Sequence, residues 1–149
     1  MLEVEKMKYI VIITSVILIL SCATGSHMED VSRNRITLTS LVEMFENIEK
    51  NTKWKMTDEM LWGYFFTHNE PRKLEAATPS LINLGYRVVD IYLADKEKSD
   101  EPDLYWLHVE KIEIHTPESL NQRNIEFYKL ANELGLDDYD GMDVGPVPQ

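Results

Sequence analysis

The spacing of apolar positions divides the chain into one uninterrupted apolar run and a series of helix-like and strand-like segments. From Tyr9 to Leu20 there is no charged residue. As a helix this run would span about 18 Å, short of the roughly 30 Å hydrocarbon core of a bilayer. Helical spacing starts at Ser40, with Glu43 as its capping-box partner, and puts Leu41, Met44, Phe45 and Ile48 on one face before Lys50-Asn51 closes it. The aromatic stretch Leu61-Trp62-Gly63-Tyr64-Phe65-Phe66 is bounded by polar residues and predicts a strand buried on both faces or nearly so. His68-Asn69-Glu70-Pro71 opens a second helix with Leu74, Ala77, Leu81 and Leu84 along one stripe and Gly85 as its stop. Pro79 interrupts it, at a cost of about 3 kcal/mol, and predicts a kink or break.

Tyr86 to Leu93 predicts a second strand and Leu104 to His115 a third. In the third, Tyr105, Leu107 and Val109 share a parity that Ile112 and Ile114 do not, so a bulge near Glu110-Lys111 is expected to bring both sets to one side. Thr116-Pro117 caps a third helix with Leu120, Phe127, Leu130, Ala131 and Leu134 inward and Gly135 as stop. Tyr139 to Val144 predicts a short fourth strand, ended by Gly145-Pro146. The order β-α-β-β-α-β behind a leading helix predicts an α+β protein, a ferredoxin-like sandwich with both crossover helices on one face of an antiparallel sheet. The pattern does not fix where the extra N-terminal helix docks.

The length of the first run suits a secretory signal better than a membrane span, with Lys6 and Lys8 as its positive flank and Met7 as a plausible start. It ends in Ile19-Leu20-Ser21-Cys22, which resembles the lipobox of bacterial lipoproteins, although Ile19 stands where Leu is usual. The resemblance implies that Cys22 is diacylated and becomes the first residue of the mature chain. The expected organisation is a signal peptide at 1–21, a flexible tether at 22–37 and a single domain at 38–149, membrane-anchored outside the cytoplasm. A plain signal or anchor, or an N-terminal helix of a cytoplasmic protein with an inert thiol, are the alternatives. Gly25-Ser26-His27-Met28 matches a common remnant of cleaved affinity tags, so nothing rests on His27.

Charge narrows the choice of partners. Twenty-six acidic residues against fifteen basic ones give −11, which disfavours nucleic acid and favours a protein partner with a basic surface. One cysteine rules out an intrachain disulfide and any multi-cysteine zinc site. His27, His68, His108 and His115 lack metal-ligand spacing. An EF-hand register fixed on Gly141 puts Leu136 and Val147 at the first and twelfth positions, where carboxylates are needed. There is no nucleophile elbow and no phosphate-binding glycine loop. No catalytic, cofactor-binding or metal residue is therefore assigned and no cofactor is expected. Trp54, Trp62, Trp106 and the tyrosines read mostly as core.

Two stretches carry a family likeness: LEAATPSLINLGYRVVD (74–90) and NIEFYKLANELGLDDYDGM (124–142). Together they resemble the regulator of ribonuclease activity B family, over about residues 58–144. The matching motif positions are Leu74, Glu75, Gly85, Tyr86, Tyr139, Asp140 and Gly141, with Met142 where the family favours Trp. The resemblance implies a non-enzymatic domain whose namesake binds and inhibits endoribonuclease E. A lipidated Cys22 would put this chain on the other side of the membrane from that enzyme. The expectation is therefore a membrane-tethered protein-interaction domain. The alternatives are a cytoplasmic ribonuclease E inhibitor and, third, a small-ligand binder or hydrolase.

Overall fold

The structure, a computed structural model, describes residues 35–96 and 98–148. The proposed signal, Cys22 and most of the tether lie outside the described residues. Among the described residues three helices and four strands follow in the order α1 (Leu38–Asn51), β1 (Met60–His68), α2 (Pro71–Asn83), β2 (Arg87–Leu93), β3 (Tyr105–Glu113), α3 (Pro117–Glu133) and β4 (Asp138–Pro146). The strands form one antiparallel sheet in the order β2-β3-β1-β4. Each of α2 and α3 thus joins two parallel strands that have one antiparallel strand between them. None of the described helices is long and apolar enough to cross a membrane.

Local chemistry explains the helix limits. The capping box of α1 is Thr37 with Ser40, one turn earlier than the expected pair of Ser40 with Glu43, because the Thr37 hydroxyl accepts from the Ser40 N–H at 3.2 Å. Thr116 and Ser119 repeat the device at α3. Helix α2 runs unbroken through Pro79. The carbonyl of Glu75, which proline leaves without its usual donor, accepts instead from the Thr78 hydroxyl at 2.8 Å. At the end of α2, Gly85 turns left-handed (φ 87°) while its N–H bonds Ile82 and that of Tyr86 bonds Leu81. Gly135 ends α3 through the same turn. Leu84, expected on the buried stripe, is the cap residue just past the helix and is exposed.

The core lies between the helices and one sheet face. Trp62, Tyr64 and Phe66 of β1 and Leu107 and Val109 of β3 meet Leu74, Ala77 and Leu81 of α2 and Leu120, Phe127 and Ala131 of α3, all buried. Leu130 and Leu134 are only partly buried. Phe127 packs edge-on against Tyr64, Phe66, Tyr86 and Tyr139, with ring centroids 4.9–5.3 Å apart, and each such pair adds about 0.5–1.5 kcal/mol beyond its burial. The leading helix docks on α3. Leu41 and Phe45 complete the core, Phe45 stacking on Trp62, and the Ile36 N–H donates to Tyr128 Oη at 3.2 Å.

The bulge expected in β3 is absent. Its pairing with β1 runs without a shift from Met60↔Glu113 to His68↔Tyr105. Parity is therefore preserved, and Ile112 and Ile114 are exposed, with Ile112 on the side away from the helices. The irregularities fall in the outer strands instead, at Val89 of β2 and Asp140 of β4. The fourth strand is also longer than expected.

Candidate functional site

The two faces of the sheet carry different chemistry on alternating residues of the same strands. On the helix-covered side, the inward parity of β3 turns polar after Val109, at Lys111 and Glu113, and His115 follows. Arg123 of α3 grips Glu113 through both terminal nitrogens, at 2.6 and 2.9 Å, and also donates to Tyr86 Oη. Tyr64 Oη donates to Glu113 Oε1 at 3.3 Å and lies 3.2 Å from His115 Nε2, and His115 Nδ1 is 2.9 Å from Ser119 Oγ. Lys111 covers the Tyr86 ring at 4.9 Å and donates to the Leu84 carbonyl.

Glu113 and the two phenols are each held in one protonation state. Burial would raise the Glu113 carboxyl, but His115, Arg123 and Lys111 outweigh it and hold it at about 2. Burial, reinforced by the negative charge of Glu113, pushes the Tyr64 phenol well above its ordinary value, and Tyr86 follows mainly through burial. A carboxylate that stays ionised and phenols that stay protonated are poor proton carriers near neutrality. With both terminal nitrogens of Arg123 occupied, the group acts as a strut tying α3 to the end of β3. An open cleft of 380 Å³ adjoins it, lined by Tyr86, Lys111, Arg123, Phe127 and Leu130 among others.

No described element covers the opposite face. Cross-strand pairing arranges it in rows: Tyr92, Trp106, Thr67 and Asp138; then Asp90, His108, Phe65 and Gly141; then Arg87, Glu110, Gly63 and Asp143; and last Ile112, Leu61 and Gly145. Phe65 stacks on His108 at 4.5 Å and meets Trp106 edge-on at 5.6 Å, and Trp106 in turn leans on Tyr92 at 6.2 Å. Gly63 leaves a dip where Asp143 folds inward, its Oδ1 accepting from the Gly63 N–H at 3.1 Å. A methyl group at residue 63 would collide with Asp143 Oδ1 and with His108 Nε2. Glu110 pairs with Arg87 at the rim.

The positions of the family likeness prove to be fold-makers, apart from one surface side chain. Leu74 is fully buried, and Tyr86 and Tyr139 are buried, with Tyr139 Oη donating to Asn124 Oδ1 at 2.8 Å. Gly85 makes the α2 turn. Asp140 is the unpaired bulge residue of β4, and Gly141 follows it at φ 122°. Glu75 has an exposed side chain. Cys22 lies outside the described residues. The Glu113–His115–Arg123 cluster was not foreseen, although polar residues on the inward parity of a strand were a readable sign of it. Buried Asn124 and the aromatic row of the open face were also missed. His68 Nδ1 accepts from the Glu70 N–H at 2.8 Å in the turn that leads into α2, and its Nε2 is 3.6 Å from Asp137. Among the described residues no cluster of His, Cys, Asp or Glu could hold a metal ion.

Fold and faces together define a small α+β domain with one sheet side sealed by helices and the other covered by no described element. The chain belongs to the regulator of ribonuclease activity B family, whose family model matches residues 40–144. That span takes in α1, which the sequence alone had read as an addition. No curated protein matches the chain significantly.

Proposed function

We propose that this protein is a non-enzymatic, protein-binding member of its family, held at a membrane by an acylated Cys22. The observation that carries the protein-binding reading is the family match over 40–144, a family described as regulators of ribonuclease activity. The acidic sheet face, over which no described element lies, agrees with it, and so does a helix-side cluster whose carboxylate and phenols each hold one charge state. The element order and the strand order β2-β3-β1-β4 support a ferredoxin-like sandwich. The tether rests on the sequence alone, on an apolar run too short to span a bilayer followed by Leu20-Ser21-Cys22.

The family description favours a second reading, in which the domain stays in the cytoplasm and restrains an E-type endoribonuclease. Metabolic labelling with a clickable palmitate analogue separates the two. Label in the membrane fraction that disappears in Cys22→Ala is the expected result. An unlabelled chain in the soluble cytoplasmic fraction would replace the tethered reading with the ribonuclease one.

A further inference from the structure

Three features meet on the sheet face that no described element covers. Its aromatic row, Tyr92, Trp106 and Phe65, has no described element above it. Beneath its surface the ring nitrogens Trp106 Nε1 and His108 Nε2 are buried without hydrogen-bond partners, Glu110 Oε1 standing 3.5 Å from the latter. Carboxylates from both outer strands converge on it. The Tyr92 phenol on β2 is raised first by its burial and then by Asp143, Asp90 and Asp140, two of which lie on the far outer strand.

We propose that this face is the docking surface for an arginine-bearing segment of a protein partner, with a guanidinium lying over the dip at Gly63 against the Phe65–His108 stack and paired with Asp143. Charge selects the occupant, because a net −11 and carboxylates on both rims repel phosphates and attract cations. Shape selects arginine over lysine, since a planar guanidinium can stack on a ring and bind a carboxylate through two parallel bonds at once. The fold already places such a group next door, in the exposed Arg87 side chain paired with Glu110. This proposal rests on the protein-binding reading above.

Fluorescence anisotropy tests it, with the full chain in non-ionic micelles and a labelled peptide of alternating arginine and glycine. The arginine peptide is expected to bind, and Asp143→Asn and Phe65→Leu are each expected to weaken binding about tenfold. Glu133→Gln, which removes the same charge from the helix side, is expected to change it less than about twofold. Melting followed by circular dichroism verifies that each variant is folded. If Phe65→Leu does not fold, the isosteric Asp143→Asn decides alone. Equal losses in Asp143→Asn and Glu133→Gln would reduce the effect to net charge and overturn the site. So would no binding by the wild type, or equal binding of a lysine–glycine peptide. Failure of palmitate labelling overturns the tether and leaves these readings unchanged, so the two ideas fail separately.

Discussion

The helix-covered face of the sheet and the face that no described element covers are built from neighbouring residues of the same two inner strands, and they carry opposite chemistry. Behind the helices, Glu113 is held by Arg123 and Tyr64, and Trp62 Nε1 donates to the Glu113 carbonyl at 3.2 Å, while buried Asn124 leaves its Nδ2 without a partner. In front, one residue along each strand, rings and carboxylates lie with their ring nitrogens unpaired. A buried, clasped ion pair makes stability, whereas rings and carboxylates at a half-buried surface leave room for recognition. Substitution on one face should therefore register as unfolding, and on the other as lost binding.

The largest difference is expected from Trp62→Ala. Trp62 is fully buried and contacts Phe45 and His115, so its truncation should cost about 4 kcal/mol in urea unfolding. Arg123→Met comes next, at about 3 kcal/mol, because it strands Glu113 without its main partner. The same cluster predicts a pH response. Glu113 sits at about 2 in the folded protein against an ordinary 4.5, so its contribution is complete above pH 4.5 and is lost as pH falls from there toward 2. Glu113→Gln should flatten that part of the acid-unfolding curve, and an unchanged curve would place the acid sensitivity elsewhere.

Gly63→Ala should cost about 1 kcal/mol, as Asp143 and His108 are pushed off the dip, and should disturb arginine-peptide binding more than stability. At the small end, Ile112→Thr, exposed on the face away from the helices, should stay within about 0.5 kcal/mol of the wild type by thermal melting. A cost near that of Trp62→Ala would mean that something covers this face after all.

The sequence disclosed the order of elements because each carries its own local signal, such as Thr116-Pro117 before α3 or the branched run of β2. It misled where a local pattern had two physical solutions. The parity change between Val109 and Ile112 can be absorbed by a bulge or accepted as exposure, and an unbroken register with β1 chose exposure. Leu61-Trp62-Gly63-Tyr64-Phe65-Phe66 was legible as a buried strand but not as one with different duties on its two sides. The Arg123–Glu113 clasp joins residues on different elements, and its partners are found only once α3 is laid across the sheet.

The two bulges lie on the outermost strands, and the inner pairing of β1 with β3 has none. An uninterrupted rim would offer regularly spaced N–H and C=O groups to the next copy of the chain. Breaks at Val89 and Asp140, with Pro146 at the far end of β4, spoil that template at both margins. At whatever concentration copies of the domain meet, such spoiled margins keep the sheets from joining side by side.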